Sequence, residues 1–290
     1  MSSRSVLVVG ATGKQGGAVV DHLLSGEHGE FDVHALTRSP DGEAAQSLAN
    51  RGATIVAGDS KNGDSYRDAM DAVDAVYSMT HFAEGYNSEV EQGTTVAEVA
   101  ADVGVEHFVF SSVGGAERET GVPHFESKWA VEQRIRELDL PATVVRPVFF
   151  MQNFEMQREM IHDGTVAFPL AEGNPVQMVD VDDIGAFAAI TLANPDRYIG
   201  EAIELAGDKR TLAAVAEAFS VALGRRVEAR HVPIEQARER MGEDQALMFE
   251  WINEHGYEAD IAGLRRDAGL DLTDFETYLA ENGWTSETAR

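Results

Sequence analysis

The sequence predicts an α/β fold, with a doubly wound parallel sheet of Rossmann type and a smaller α+β C-terminal lobe. Three observations favour this fold. In the first half, short β-branched runs alternate with longer amphipathic stretches, which indicates βαβ units around a parallel sheet. A glycine-rich turn, Gly10–Gly16, separates the first such run from the first amphipathic stretch. After Pro147 the regular alternation ends.

The first half, residues 1–148, is predicted to form the sheet domain. Its candidate strands are Val6–Val9, Val33–Thr37, Thr54–Val56, Ala75–Ser78, His107–Ser111 and Ala142–Arg146. Its candidate helices are Gly16–Leu24, Glu43–Asn50, Asn87–Asp102 and Ser127–Leu138. Each strand is therefore expected to be joined to the next by a crossover connection.

The second half, residues 149–290, is predicted to form the smaller lobe. Its expected elements are a helix at Phe150–Ile161, an extended segment at Val176–Val181, a helix at Asp183–Ala193, a strand at Ala202–Leu205, a helix at Leu212–Leu223, a strand at Val227–Val232 and a helical tail from Ile234. The strand near 202–205 is a candidate for returning to the main sheet. We expect the lobe to cover the carboxyl ends of the parallel strands, where open α/β sheets bind ligands.

The most unusual property of the chain is its charge. It has 50 acidic and 23 basic residues and a formal net charge of −27 at pH 7. Phosphate backbones and anionic lipids repel such a surface, so we expect no direct nucleic-acid binding and no membrane binding. The lysines are Lys14, Lys61, Lys128 and Lys209 alone. A lysine-poor acidic surface is typical of adaptation to a high-salt cytoplasm, although an acidic mesophilic protein has the same composition.

Other classes of site are disfavoured by what the sequence lacks. It has no cysteine, which excludes disulfides, thiolate metal sites and cysteine nucleophiles. No run of about 18 apolar residues could span a bilayer, and no cleavable signal precedes the first strand, so we expect a cytoplasmic protein. The nine histidines show no H-E-x-x-H spacing, which predicts no metal site.

The turn Gly10–Gly16 has the spacing and position of a dinucleotide site. Gly10 permits the tight turn, Gly13 lets the backbone approach a pyrophosphate, and Gly16 allows close packing of the helix on the strand. The helix N-terminus then offers free N–H groups to the phosphates. We therefore assign the turn to cofactor binding, including its members Thr12, Lys14 and Gln15. The alternative is a glycine-rich turn without a ligand.

The end of the second predicted strand indicates which dinucleotide binds. Arg38 stands where an acidic residue in NAD-preferring sites binds the ribose 2′-hydroxyl, and a guanidinium suits the 2′-phosphate of NADP. Lys14 would add a second positive charge near that phosphate. Asp59 and Ser60 follow the third strand, where a carboxylate either accepts a hydrogen bond from adenine or lies in a solvated turn. These residues predict NADP(H) as the cofactor.

Six short motifs lie between about Val6 and about Gly224. They are Gly10–Gly16, Thr37–Arg38, Gly58–Asp59, Glu91–Gly93, His124–Lys128 and Val181–Gly185. Together they resemble the NmrA-like family of atypical short-chain dehydrogenases/reductases, and within it the subgroup with a human NADPH-sensing member. The resemblance implies NADP(H) binding, a Rossmann domain with a split C-terminal lobe, and frequent homodimers. It leaves activity open, because the family contains both reductases and regulators that bind the nucleotide without turnover.

The resemblance also implies a catalytic helix. Short-chain dehydrogenases carry a tyrosine four residues before a lysine, a spacing that puts both on one helix face. Here Lys128 is present and His124 stands at the tyrosine position. The resemblance implies that Lys128 binds the nicotinamide ribose. His124 either donates a proton near neutral pH or is a partly exposed residue at a helix start.

Further candidates near the cofactor lie at three strand ends. Ser111 and Ser112 end the fifth strand, where the family's catalytic serine lies, and either of them bonds a substrate carbonyl or simply satisfies the strand end. Thr80 follows the fourth strand and Pro147 follows the sixth, and both are expected beside the cofactor. The aromatic residues of 148–154 either wall an apolar pocket or join the core.

These residues lead to two functional hypotheses. The leading one is a sensor of the NADPH/NADP ratio, or a regulator with weak or no turnover that acts on a protein partner. The alternative is an NADPH-dependent reductase of a quinone or another small apolar enone or carbonyl compound. A structural module with a vestigial site is disfavoured because Arg38 and Lys128 are both retained.

Overall fold

The computed structural model describes residues 3–284, which divide into two compact units. The first unit contains the residues up to Glu119, Pro123–Arg146 and Ile184–Ile203; the second contains Thr120–Val122, Pro147–Asp183 and the residues from Glu204 onward. The predicted domains 1–148 and 149–290 meet at one boundary. In the structure the first unit also contains the later segment Ile184–Ile203. Residues 1–2 and 285–290 of those ranges lie outside the described residues.

Twelve strands lie within residues 3–284. They are β1 (Arg4–Val9), β2 (Phe31–Thr37), β3 (Thr54–Ala57), β4 (Ala75–Met79), β5 (His107–Ser111), β6 (Ala142–Pro147), β7 (Phe149–Phe150), β8 (Thr165–Phe168), β9 (Pro175–Val179), β10 (Ala202–Leu205), β11 (Asp208–Thr211) and β12 (Glu228–His231).

Seven of the described strands form the main sheet, in the order β10-β6-β5-β4-β1-β2-β3. The registered pairs from β6 to β3 are all parallel, and Val6 of β1 lies between Val33 of β2 and Ala75 of β4. The predicted α/β fold with a doubly wound sheet is confirmed. The strand order reverses between β1 and β4, and ligands of such sheets bind at this switch point, beyond the carboxyl ends of the strands.

The helices follow the predicted alternation in the first half. Within residues 3–284 they are α1 (Lys14–Ser25), α2 (Glu43–Asn50), α3 (Arg67–Asp71), α4 (Tyr86–Val103), α5 (Pro123–Glu137), α6 (Arg158–His162), α7 (Val181–Ala193), α8 (Pro195–Tyr198), α9 (Leu212–Leu223), α10 (Ile234–Met241), α11 (Glu243–Glu254), α12 (Ile261–Ala268) and α13 (Phe275–Glu281). Across this part of the chain, each helix is too short or too polar to cross a membrane.

The second unit contains two small sheets, ordered β11-β9-β7 and β12-β8, around an aromatic core. The predicted helix Phe150–Ile161 is instead a 3₁₀ helix, Met151–Gln157, followed by the short α6. A 3₁₀ helix aligns residues three apart. Here that spacing buries both Met151 and Phe154. The side-chain amide of Gln157 donates to the carbonyl of Ala167 at 2.7 Å and accepts from its backbone N at 3.0 Å.

A buried carboxylate holds part of the C-terminal segment in the second unit. Asp183 is 3% exposed, and its two oxygens accept hydrogen bonds from the backbone N and hydroxyl of Thr273, at 3.0 and 2.9 Å. Burial raises the pKa of Asp183 to about 7, against the opposing effect of the Thr273 bonds and with a further upward contribution from Asp180 and Asp182. The native state therefore favours the protonated carboxyl group.

This raised pKa predicts that Asp183 destabilises the native state progressively as the pH rises from 5 to 7. In that window the unfolded chain has lost the proton while the native chain retains it, which costs about 1 kcal/mol per pH unit. Urea unfolding of wild type and Asp183→Asn at several pH values measures the difference. The free energy of unfolding of Asp183→Asn should rise relative to wild type by that amount. Asp196→Asn, at an exposed position, provides the control and should follow wild type. Parallel curves for Asp183→Asn and wild type would contradict the assignment.

Candidate functional site

A cavity of about 500 Å³ in the first unit lies at the switch point of the main sheet. It is bordered by the turns that follow β1, β2, β3 and β4. The predicted site residues among its lining are Gly10, Thr12, Gly13, Arg38, Asp59 and Ser60. Lys14, Gln15 and Gly16 adjoin these residues in the glycine turn, at the start of α1. The cavity therefore lies at the position where the adenosine and phosphate half of a dinucleotide is predicted to bind.

The glycine turn brings the backbone of α1 against the end of β1. Gly10 has φ +79°, a conformation that favours glycine, and its carbonyl accepts a hydrogen bond from the N–H of Gly13 at 3.0 Å. A Cβ on Gly16 would lie 2.2 Å from the Gly10 oxygen, so the close approach requires glycine. At the start of α1 no side chain caps the helix and no acidic residue occupies the first turn. Its N–H groups are thus left for an anionic ligand.

The cations near this cavity differ in how they are held. Arg38 is exposed at the cavity wall, and its side chain forms no hydrogen bond or ion pair within residues 3–284. Lys61 also lines the cavity, but its ammonium lies 2.6 Å from Glu84 and 3.9 Å from Glu91. Lys14 is exposed beside the cavity and is not part of its wall. Arg38 is therefore the cation most readily available to a phosphate.

Asp59 and Ser60 both line the cavity and also build the turn after β3. The Asp59 carboxylate accepts a hydrogen bond from the backbone N of Lys61 at 3.1 Å. The carbonyl of Ser60 accepts one from the Tyr66 hydroxyl at 3.2 Å. These contacts stabilise the turn. The hydrogen bond between Asp59 and adenine stays a prediction.

Lys128 is the centre of a buried polar network between α4, α5 and the end of β4. Its ammonium lies 3.1 Å from a Glu89 carboxylate oxygen and donates to the Thr80 hydroxyl at 2.9 Å and, more weakly, to the Thr80 carbonyl at 3.4 Å. Glu89 is fully buried, and it also accepts hydrogen bonds from the hydroxyls of Thr80 and Ser127, at 2.9 and 2.5 Å. The predicted cofactor residues Thr80 and Lys128 therefore lie together, and a carboxylate orients the lysine.

The charge of Glu89 is maintained by this network. Burial alone would raise its pKa, but the Lys128 ammonium and the Ser127 and Thr80 hydroxyls outweigh burial and hold the pKa below its ordinary value of 4.5. The pair therefore stabilises the native state above pH 4.5, and its contribution is lost as the pH falls below the native pKa.

His124 lies at the start of α5, one turn before Lys128. Its ring packs against two aromatic rings, with centroids 5.8 Å from Phe82 and 4.7 Å from Phe125. The i,i+4 relation to Lys128 is thus realised on a helix. A proton-donating role for His124 remains a prediction.

Ser111 and Ser112 at the end of β5 serve different partners. Ser111 is 2% exposed and accepts a hydrogen bond from the Gln15 amide at 2.5 Å. Ser112 donates to Glu132 at 2.6 Å, and Glu132 is a fully buried carboxylate paired with Arg146 at 2.7 Å. The two serine candidates are therefore separated: Ser111 adjoins the glycine turn, and Ser112 belongs to a structural ion pair.

Pro147 is buried at the end of β6, and the aromatic residues after it join the core of the second unit. Phe149 and Phe154 are 5% and 1% exposed and pack against each other with ring centroids 5.9 Å apart. Of the two interpretations of this segment, the structure supports core. The assignment of Pro147 to the cofactor remains a prediction.

Two residues that position the site, Lys61 and Glu89, were not assigned to it from the sequence. Lys61 lines the cavity, and Glu89 neutralises Lys128. Gln92 belongs to the Glu91–Gly93 motif, and its amide holds the backbone of His81 in the loop after β4, at 3.3 and 3.4 Å. Lys61 had a signal, because it is one of four lysines and lies two residues after Asp59. For Glu89, a sequence signal was present only in its place on the same helix as Gln92.

Comparison with known proteins places the chain in a family. The model of the NmrA-like family matches residues 2–279. The chain belongs to the NmrA-like family. An NmrA-like family domain-containing protein of Dictyostelium discoideum is 30% identical, covering 96% of this chain and 97% of the relative. An NAD(P)H azoreductase of Xenophilus azovorans is 33% identical, covering 81% of this chain and 80% of the relative.

Solved structures share the fold of this NmrA-like chain. A triphenylmethane reductase of Citrobacter sp. complexed with NADP(H) has a TM-score of 0.82 at 23% identity, covering 96% of this chain and 99% of its own. An NADPH-dependent quinone oxidoreductase of Escherichia coli complexed with NADPH has a TM-score of 0.83 at 18% identity, with coverage of 96% and 99%. NmrA, a negative transcriptional regulator, in complex with NADP has a TM-score of 0.80 at 21% identity, with coverage of 97% and 95%.

The Lys128–Glu89 network predicts a strong effect of removing the carboxylate. Glu89→Gln should lower the free energy of unfolding by about 3–5 kcal/mol, because it leaves a largely buried ammonium without its counter-charge. Glu84→Gln removes an exposed carboxylate from Lys61 and should lower the free energy of unfolding far less, because solvent screens exposed ion pairs. Urea unfolding at neutral pH measures both. The double variant Glu89→Gln/Lys128→Met should recover part of the loss. Equal effects of Glu89→Gln and Glu84→Gln would refute the network's role.

Proposed function

We propose that the chain is an NADPH-dependent reductase that reduces a small, flat apolar acceptor such as a quinone. The observation that carries the NADPH assignment is Arg38, a cation without a protein partner among residues 3–284, at the wall of the cavity that the glycine turn borders. The assignment of reductase activity is supported by relatives and structural neighbours whose names include an azoreductase, a quinone oxidoreductase and a triphenylmethane reductase.

The residues present fit a dinucleotide phosphate. The Gly10–Gly16 turn has a close approach that a Cβ on Gly16 would block, and α1 begins without a side-chain cap. Backbone N–H groups at the start of α1 would hold the pyrophosphate, and the Arg38 guanidinium would hold the 2′-phosphate. Arg38 would then distinguish NADPH from NADH, because the 2′-phosphate is the group by which they differ.

Lys128 and His124 are the residues proposed to act near the nicotinamide ribose. When bound, NADPH supplies a hydride, and one further proton completes the reduction of a quinone to a hydroquinone. Lys128 would bind a ribose hydroxyl by exchanging its weakest contact, the 3.4 Å bond to the Thr80 carbonyl, while Glu89 keeps the ammonium in place. His124, one helical turn away, would supply the proton, since imidazole is a common general acid in enzymes.

A second candidate function is a sensor or regulator that binds NADP(H) without useful turnover. Two observations favour it. His124 stands where short-chain dehydrogenases have tyrosine, and Lys128 is already engaged by Glu89 and Thr80. The structurally similar NmrA is itself a negative transcriptional regulator in complex with NADP. Measurement of turnover separates the two functions.

Cofactor preference tests the role of Arg38. NADPH should bind wild type at least about tenfold more tightly than NADH, since a charge-assisted hydrogen bond is worth roughly 1.5–3 kcal/mol. Titration calorimetry with both nucleotides measures the ratio. Arg38→Gln should bring it close to one. Arg51→Gln is the matched control, because Arg51 is an exposed arginine that pairs with Asp21, and this variant should keep the wild-type ratio. Equal affinities of wild type for the two nucleotides would exclude the proposed role of Arg38.

Turnover tests the reductase itself. NADPH oxidation is followed with a panel of quinones, in dilute buffer and in molar KCl, because the proposed high-salt adaptation requires screening of a net charge of −27. We expect quinone reduction by wild type and a loss of about 10²–10⁴ in kcat for His124→Ala, with unchanged NADPH affinity. Lys128→Ala should weaken NADPH binding, and His255→Ala, at an exposed position, should change neither value.

Two results would overturn these assignments. Tight NADPH binding with no quinone reduction in either buffer would refute the reductase and favour the sensor. Quinone reduction that survives His124→Ala would remove His124 as the proton donor.

A further inference from the structure

A second group of potential ligand residues lies at the opposite end of α1 from the glycine turn. His22 is in the last turn of the helix, and Glu27 and His28 follow within the turn that leads to β2. None of the three lines the cavity at the switch point. Within residues 3–284 they form the one cluster of three histidine or acidic side chains whose ligand atoms could meet at a single metal ion.

The backbone after α1 brings these side chains together. Gly26 ends the helix with φ +78°, in the left-handed region, and reverses the chain. The Ser25 hydroxyl donates to the carbonyl of His22 at 2.8 Å and accepts from the backbone N of Glu27 at 3.1 Å. The N–H of Gly29 closes the turn on the Gly26 carbonyl at 3.3 Å. These bonds fold residues 22–28 back on themselves without using any imidazole or carboxylate group.

The resulting donor set suits a divalent transition metal. One nitrogen of each imidazole and one oxygen of Glu27 all lie within 4.8 Å of one another. Zinc binds imidazole nitrogen and carboxylate oxygen at about 2.0–2.2 Å, so modest side-chain rotations would bring the three atoms onto one ion. Two histidines and one carboxylate leave at least one coordination position for water, and imidazole also suits copper and nickel.

The electrostatic environment favours a cation at this position. The carboxyl end of a helix carries a partial negative charge, and the chain as a whole has a net charge of −27. Both histidines are half-buried, whereas Glu27 is exposed, so an ion would enter from solvent.

We propose that His22, Glu27 and His28 bind one divalent transition-metal ion, with Zn²⁺ as the representative ligand. The sequence predicts no metal site because the chain lacks the H-E-x-x-H spacing, which puts both histidines on one helix face. Here one histidine belongs to the helix and the other to a turn, with an intervening carboxylate. The site is independent of the proposed reductase function, because its residues lie outside the nucleotide cavity.

Zinc titration of the full-length, tag-free chain tests this proposal. Protein treated with a chelator and then dialysed is titrated with Zn²⁺ in competition with a chromophoric chelator at neutral pH. We expect one strong site per chain. His22→Gln and His28→Gln should each weaken it by more than the 10–100-fold typical of second-shell changes, and Glu27→Gln should weaken it less. His255→Gln is the matched control, since His255 lies 3.7 Å from Glu254 but belongs to no group of three among the described residues. It should bind Zn²⁺ as wild type does.

A spectroscopic measurement separates ligation from folding. Electron paramagnetic resonance of Cu²⁺-loaded wild type should show coupling to two imidazole nitrogens, and each histidine variant should show one or none. Circular dichroism establishes that the variants are folded, and a misfolded His22→Gln would be replaced by His22→Asn. No strong Zn²⁺ site in wild type, or a site that survives in the His22→Gln/His28→Gln double variant, would overturn the proposal.

Discussion

The contact on which the candidate nucleotide site depends is the approach of Gly16 to the Gly10 carbonyl. With a Cβ on Gly16 only 2.2 Å from that oxygen, α1 could not begin where it does. The position of α1 sets two further features. Its uncapped first turn faces the switch point, and a Cβ on Gly185 of α7 would lie 2.6 Å from the Ala18 backbone, so this helix pair is also closely packed. One backbone contact therefore places both the glycine turn and a helix behind it.

The second constraint is electrostatic and concerns Lys128. A lysine removed from water is costly unless a counter-charge and hydrogen bonds accompany it, and Glu89 with Thr80 provides them. The same contacts limit what the lysine can do, because its three N–H groups already have protein acceptors. A ligand must compete for the weakest of them. This balance explains how one residue serves both as a structural cation and as a candidate cofactor ligand.

The main sheet and the glycine turn were predictable because their signals are local. The buried strand Val6–Val9 is a continuous apolar run, and Gly10, Gly13 and Gly16 have fixed spacing. The second unit was less predictable. Its short strands, among them Thr165–Phe168 and Asp208–Thr211, pair only with partners distant in sequence, and the 3₁₀ helix depends on which residues the core buries. The burial of Glu89 was not predictable either, because burial of a charged side chain depends on tertiary packing.

Both ends of α1 are proposed ligand sites, and the helix dipole favours an anion at one end and a cation at the other. The two ends should nevertheless act independently. The helix has 12 residues, which at 1.5 Å each gives about 18 Å between its ends, roughly twice the Debye length at physiological ionic strength. At higher ionic strength the screening is stronger still. A metal ion at His22 and His28 would therefore stabilise the carboxyl end of α1 locally, and the phosphate affinity of the amino end would be set by its own N–H groups and Arg38.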